Sequence, residues 1–240
     1  NGLIMKNITL LALDTSTEAC SVALWHKGEK THLDELAQRT HTKRILPMVD
    51  ELLANSGINL KQVDALAFGR GPGSFTGVRV GAGIAQGLAF GADLPVIAVS
   101  NLTAMAQAAF ELHQAENVAA AIDARMNEVY FSQVKREKVR SELGEFFQWN
   151  PVIEEQVCQP EKVLEQLSDL TVYRVGTGWA AYPQFKYSGL EGSDIILPFA
   201  LYMLELALTD YTQNKVISAL EIEPVYLRNE VTWKKLPGRE

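Results

Sequence analysis

Runs of apolar residues divide the first part of the chain into short strands and longer helices. Residues 8–13 form an apolar run interrupted only by Thr9, which predicts a central strand buried on both faces. Residues 20–26 and 31–37 flank Lys27-Gly28, a pair of residues typical of a tight hairpin turn. The elements predicted next are a helix at 42–55, a strand at 65–69, a helix at 74–91, a strand at 95–99 and a helix at 102–113.

The same order begins again near residue 117. An apolar run ends at Asp123, as the first one ends at Asp14, and an alternating strand is predicted at 128–135 after a polar turn. Less regular elements follow, with helices predicted at 160–167 and 199–212 and a strand at 171–176. Strand, strand, strand, helix, strand, helix resembles the unit of the actin/hexokinase/heat-shock-protein (ASKHA) superfamily. We therefore predict an α/β fold of two such halves, 5–105 and 106–240, the second ending in a C-terminal tail.

Glycine is concentrated between residues 64 and 91. Three glycines alternate through the turn 69–73, and Gly83, Gly87 and Gly91 recur at every fourth position of the helix that follows. Each glycine inside a helix costs about 1 kcal/mol relative to alanine, so the repetition indicates that another backbone comes very near. Packing within the chain and docking of another protein both fit this pattern.

Neither common glycine-rich phosphate motif fits the turn. A Walker A loop requires a lysine, and the chain has none between Lys61 and Lys135. The remaining candidate is the polar turn Asp14-Thr15-Ser16-Thr17, interpreted as a vestigial nucleotide site in which hydroxyls and backbone N–H groups bind phosphate. The alternative interpretation is that Asp14 and Asp123 only cap tight turns through their side chains.

Charge and cysteine content narrow the function classes. The 22 Lys and Arg residues are outnumbered by 29 Asp and Glu, so the net charge of −7 argues against a main phosphate-binding surface. Cys20 and Cys158 form no metal-binding or redox motif, and with neither a signal peptide nor an apolar run of about 18 residues we expect a cytoplasmic protein. The cations form two groups: Lys135, Arg136, Lys138 and Arg140, and then Arg228, Lys234, Lys235 and Arg239, of which the second is the better candidate for phosphate contact.

Several stretches resemble the bacterial TsaB (YeaZ) family. They are residues 11–24, His41-Thr42-Lys43-Arg44-Ile45-Leu46-Pro47-Met48-Val49, the glycine turn 69–77, Ile122-Asp123-Ala124-Arg125-Met126-Asn127-Glu128-Val129-Tyr130 and 223–228. The resemblance covers nearly the whole chain. It implies a role in making threonylcarbamoyladenosine, the modified base beside the anticodon of some tRNAs. It also implies two partners, the transferase TsaD, of which this family is a paralogue, and the ATPase TsaE.

The residues favour the partner of the transferase over the transferase itself. TsaD-type proteins hold a metal through a His-x-x-x-His pair, and Asn101 and Met105 stand in the matching positions. An amide and a thioether are poor ligands for a hard or borderline divalent ion, and Ser74 misses the register of a nucleophile elbow by one residue. We therefore expect no catalytic residue, no metal and no cofactor. The alternative is a metal-independent peptidase of the glycoprotease-like family.

The predicted docking surface is formed by the helices at 42–55 and 74–91. Its contact residues are expected to be Ile45, Val49, Leu52, Gly83 and Gly87, since the first three follow i, i+4, i+7 spacing beside the glycine-rich helix. We expect this surface to bind a TsaD-type transferase and to form a homodimer when the chain is alone. Binding of tRNA is expected only through the complex, and no membrane contact is expected.

Overall fold

Two β-sheets, one from each half of the chain, organise the fold. The computed structural model describes residues 7–36 and 40–223. The strands are β1 (Leu10–Asp14), β2 (Ala19–His26), β3 (Glu29–Leu36), β4 (Ala65–Gly69), β5 (Val96–Val99), β6 (Asn117–Asp123), β7 (Val129–Ser141), β8 (Gly144–Cys158) and β9 (Tyr173–Val175). The first sheet has the order β3-β2-β1-β4-β5 and the second the order β8-β7-β6-β9.

Helices cover both sheets. The α-helices are α1 (His41–Asn55), α2 (Phe75–Ala92), α3 (Asn101–His113), α4 (Pro160–Gln166), α5 (Gly178–Ala181), α6 (Pro183–Tyr187) and α7 (Leu204–Thr212). Short 3-10 helices occupy Leu60–Gln62, Ala200–Met203 and Ala219–Glu221. None of the described helices combines the length and apolarity that crossing a bilayer requires.

The two sheets share one topology. In each, the first three strands pair antiparallel in sequence order, and the fourth strand pairs parallel to the first, β4 with β1 and β9 with β6. The first sheet continues with β5 parallel to β4. This order confirms the α/β, ASKHA-like fold expected from the sequence, with the second sheet one strand shorter in the described residues.

The end of the described chain returns to the first half. Met203 and Leu204 are fully buried in the cluster that covers Leu10 of β1, and Ile217 pairs with Val96 beside β5. Residues 200–222 therefore pack on the first sheet although they follow the second sheet in sequence. The expected division into 5–105 and 106–240 does not describe this packing.

Several predicted elements differ from the structure. The strand β3 begins at Glu29, and Ala37 lies outside the described residues. The strand predicted at 128–135 continues to Ser141, and β8 was not predicted at all. Its Pro151 argues against a strand, but β8 is an edge strand, where a missing N–H donor is tolerated. The helix predicted at 199–212 begins as a 3-10 turn at Ala200.

Candidate functional site

A cleft of about 760 Å³ separates the two halves. Its first-half wall comes from the turn after β1, the start of α1 and the turn that leads into α2. Its second-half wall comes from the turn after β6 and from the segment before Ala200. Thr17 and His41 line the first-half wall, and Asp123 and Ile196 line the second-half wall. The imidazole Nε2 of His41 is buried and has no hydrogen-bond partner in the described part of the chain.

The side chains proposed to bind phosphate are bonded within the chain. Asp14, Thr15 and Ser16 are 0 %, 1 % and 0 % exposed. The Thr15 hydroxyl donates to the Gly77 carbonyl at 2.7 Å, and the Ser16 hydroxyl donates to the Asp14 carboxylate at 2.9 Å. The side chains of Asp14, Thr15 and Ser16 are therefore committed to contacts inside the chain, and Thr17 alone of the four is partly exposed at the cleft. The vestigial nucleotide site stays a prediction.

Asn101 joins the two turns of the first half. Its amide nitrogen donates to Asp14 Oδ1 at 3.0 Å and to the Ser16 hydroxyl, while its oxygen accepts from the Gly71 N–H at 2.8 Å. Met105, four residues further along α3, is fully buried against the second sheet. Both positions that could have carried metal-binding histidines thus carry internal contacts. The described residues contain no group of three or more His, Cys, Asp or Glu side chains placed to hold a metal ion.

Burial makes Asp14 sensitive to pH. Desolvation raises the pKa of Asp14 to about 6, and the hydrogen bonds from Asn101 and Ser16 offset only part of this rise. The carboxylate lies directly under Gly69, where an added Cβ would come 2.0 Å from Asp14 Oδ1. The charged form of the Asp14 carboxyl is therefore buried away from water, and this desolvation disfavours it.

We expect Asp14 to make the folded state less stable as the pH rises. Its folded pKa lies above the ordinary value, so its stabilising contribution is complete below about pH 4 and is lost as the pH passes about 6. Between pH 4 and pH 8 the unfolding free energy of wild type should fall by up to about 3 kcal/mol because of Asp14, and that of Asp14→Asn should not show this fall. Urea denaturation across the pH range measures this. Equal pH profiles for Asp14→Asn, wild type and the exposed-site control Glu51→Gln would contradict it.

Three glycines let the turn after β1 lie close to α2 and to the turn that leads into it. A Cβ added to Gly77 would lie 2.2 Å from the Thr15 carbonyl oxygen, and one added to Gly73 would lie 2.7 Å from that of Ser16. At Gly81 the nearest atom, the Thr15 hydroxyl oxygen, would be 2.8 Å away. Of these three, only Gly73 belongs to the glycines singled out from the sequence, and at all three the close neighbour is the chain itself.

The other glycines of α2 lie on its outer side. A Cβ at Gly83, Gly87 or Gly91 would meet nothing within 4 Å, whereas the alanines between them are buried in the core. Phe90, one turn beyond Gly87, is 70 % exposed. We call this surface the glycine face of α2 and define it by its exposed residues Thr76, Arg79, Gly83, Gly87, Phe90 and Gly91.

The predicted contact residues of α1 are not on the surface. Ile45, Val49 and Leu52 are 0 %, 2 % and 2 % exposed and belong to the core between α1, α2 and the first sheet. Their i, i+4, i+7 spacing marks the buried side of α1, so their assignment as contact residues is corrected. On the outer side of α1, Leu46 is 43 % exposed.

Two members of the first basic group are engaged within the chain. Arg136 is stacked between the rings of Phe110 and Phe147, at 3.6 and 3.5 Å from their centroids. Lys138 pairs with Glu145 at 3.3 Å. Arg228, Lys234, Lys235 and Arg239, which make up the second group, lie outside the described residues.

The repeated strand order and the cleft between its two copies define an α/β protein of the actin/hexokinase/heat-shock-protein class. Comparison with known proteins narrows this class. Residues 32–219 match a family model described as "TsaD: tRNA N6-adenosine threonylcarbamoyltransferase". The "tRNA threonylcarbamoyladenosine biosynthesis protein TsaB" of Haemophilus influenzae is 79 % identical over 236 residues, which are 98 % of this chain and 100 % of that protein.

Two further relatives support the same family. The protein of the same name from Escherichia coli is 50 % identical over 236 residues, 96 % of this chain and 99 % of its own length. The solved structure "YeaZ from Pseudomonas aeruginosa" is 42 % identical and superposes with a TM-score of 0.77, covering 92 % of this chain and 100 % of that one. The chain belongs to the TsaB (YeaZ) family.

Proposed function

We propose that the chain is a non-catalytic subunit of the machinery that forms threonylcarbamoyladenosine in tRNA. In this proposal it docks onto a TsaD-type transferase through the glycine face of α2 and supports transfer of the threonylcarbamoyl group to the adenosine beside the anticodon. The family membership and the match to a model named for the transferase support a role in this biosynthesis and a partner that is a paralogue of the chain.

The observation that carries the proposal is the open space over Gly83, Gly87 and Gly91. Internal contact explains Gly77 and Gly81, but nothing in the described chain lies near the outer three. Two helices can approach closely where one presents small residues, because side chains no longer separate the backbones. Phe90, 70 % exposed, stands near the end of α2 and offers apolar area to a docked helix.

The internal contacts of the residues around the turn after β1 support a non-catalytic role. Asp14, Ser16 and Asn101 bond to one another, and Met105 is packed in a core, so these side chains are committed to the fold. In the same proposal, the isolated chain uses the glycine face for a homodimer, a TsaE-type ATPase joins the complex, and tRNA binds through the complex.

We expect the chain alone to transfer nothing to tRNA when threonylcarbamoyl-adenylate is supplied. Adding the transferase and the ATPase should give modified tRNA, and leaving out the chain should abolish the product, because the chain contributes the docked partner and no reacting group. Mass spectrometry of digested tRNA measures the product. Incubation with an unfolded protein substrate tests the peptidase alternative, which alone predicts cleavage products. Transfer by the isolated chain, or such cleavage, would contradict the proposal.

A further inference from the structure

The second half reaches across to the first through a long hairpin. Strands β7 and β8 pair from Val129–Cys158 at the base to Ser141–Gly144 at the tip. The neighbouring strand β6 pairs with β7 only as far as Lys135. Residues 136–149, the outer part of the β7–β8 hairpin, therefore extend beyond the end of β6, and we call this segment the arm.

The arm is anchored in the core of the first half. Phe146 is 4 % exposed and lies in the cluster formed by β1, β2, β4, β5 and α7. Beside it, the Thr209 hydroxyl of α7 donates to the Phe147 carbonyl at 2.8 Å. Burial of a phenylalanine side chain removes a large apolar surface from water, so this contact is a substantial attachment between parts of the chain distant in sequence.

A second attachment joins the arm to α3. The Arg136 guanidinium is held between the Phe110 ring of α3 and the Phe147 ring of the arm. The Trp149 indole N–H donates to the Gln107 side chain of α3 at 2.9 Å. Arg136 has 10 % of its side chain exposed, and burial lowers its pKa from the ordinary value. A stacked, desolvated guanidinium is more strongly attracted to aromatic rings than an exposed one.

The third attachment lies at the base of the arm. Glu155 of β8 accepts from both terminal nitrogens of Arg70, at 3.2 and 3.4 Å, and from the Ser100 hydroxyl at the start of α3. The charged side chains of this pair are 25 % and 21 % exposed. A two-pronged arginine–carboxylate pair fixes orientation as well as distance.

We infer that the arm is a clasp that holds the two halves at one fixed angle. Proteins with two lobes joined by a hinge open and close when few contacts cross between the lobes. Here two attachments cross between the halves: Phe146 enters the cluster of β1 and α7, and Glu155 pairs with Arg70 after β4. The contacts of Arg136 and Trp149 hold the arm on α3, which packs on the second sheet. The cleft therefore keeps one width, and the first half presents the same outer surface whether or not the cleft is filled. This inference does not depend on which protein binds the glycine face.

The test is the distribution of distances between the halves in the full chain. Nitroxide labels at Lys61→Cys and Lys186→Cys, exposed sites in the first and second halves, report it by electron–electron double resonance. The native thiols of Cys20 and Cys158 are buried, and burial raises the pKa of each to about 11, so they label slowly. A second pair, Glu29→Cys and Lys61→Cys, lies within the first half and shows whether that half stays folded.

Wild type should give one narrow distribution between the halves. Phe146→Ser, or Arg136→Gln combined with Glu155→Gln, should roughly double its width while the pair within the first half stays unchanged. Leu143→Ser, a matched change at the 39 % exposed tip of the same hairpin, should behave as wild type. If Phe146→Ser unfolds the first half, the Arg136→Gln, Glu155→Gln variant decides. A broad wild-type distribution, or an unchanged one when the attachments are removed, overturns the inference.

Discussion

Gly87→Trp should weaken binding of the chain to a TsaD-type transferase by about 100-fold, the effect expected at the centre of an interface. Gly87 lies mid-way along the glycine face, with no atom within 4 Å of an added Cβ. An indole there has room in the isolated chain, so its thermal stability should change little. In a complex the same indole would separate two backbones that must meet. Calorimetric titration with the purified transferase measures the loss, and Gly83→Trp should reproduce it.

Two controls separate binding from stability. Gly87→Ala should stabilise α2 by about 1 kcal/mol through helix propensity alone, yet it should bind no better than wild type. Lys135→Trp places the same indole on an exposed strand position of the second half and should leave the affinity unchanged. Wild-type affinity for both tryptophan variants of the glycine face would show that the partner docks elsewhere. Homodimerisation, measured by sedimentation, should follow the same order.

Gly77→Ala should destabilise the chain by about 3 kcal/mol, at the upper end of what an overpacked core usually costs. The added methyl would lie 2.2 Å from the Thr15 carbonyl oxygen and 3.2 Å from its carbon, so either the turn or α2 must move. Movement would also strain the Thr15 hydroxyl bond to the Gly77 carbonyl. For a chain of this size the loss corresponds to a fall in Tm of about 9 °C.

The matched control is Gly91→Ala, the same substitution on the same helix. Nothing lies within 4 Å of its added Cβ, so it should leave the Tm unchanged or raise it. Since Gly77 and Gly91 differ in their neighbours, the pair isolates the contact with the turn. A Gly77→Ala variant as stable as Gly91→Ala would mean that the turn yields without cost.

The sequence predicted the repeated topology because its strands differ sharply in pattern. The strands β1 and β6 are apolar up to the aspartate that ends each of them, apart from Asn117 at the start of β6, and a polar turn follows each. This pattern marks the centres of the two sheets, and the Lys27-Gly28 turn marks the first hairpin. The strand β8 escaped prediction because Pro151 interrupts it, and tolerance of proline depends on whether a strand lies at an edge. Whether α7 covers the first or the second sheet is likewise a question of tertiary packing, which periodicity does not answer.

Spacing alone settles part of the geometry of the candidate docking surface, although binding there stays a prediction. Repetition at every fourth residue places Gly83, Gly87 and Gly91 on one side of α2, and the structure leaves that side open. Spacing does not say which side of a helix is buried. Ile45, Val49 and Leu52 share one side of α1, and the structure buries that side, so their prediction as contact residues is wrong. Phe90 was missed, although an aromatic side chain three residues after Gly87 is a signal that could have been used.

The polar turn after β1 illustrates a different limit. Asp14, Thr15 and Ser16 have the side chains that bind phosphate on a surface, and the same groups satisfy each other when they are buried. Their residue types are identical in both situations. Only the glycines that let the turn pack against α2 distinguish the buried situation from the exposed one. That contact joins Thr15 to Gly77, which are 62 residues apart in sequence.

Photocross-linking from the glycine face tests the central claim most directly. Phe90 replaced by p-benzoylphenylalanine keeps an exposed aromatic ring at the edge of this face, so it should not block docking. Irradiation of the full chain with the transferase should then yield a covalent heterodimer. The same probe at Tyr187, which is 86 % exposed on the second half, should yield none. Cross-linking from position 187 but not from position 90, in a mixture where the complex forms, would contradict the account.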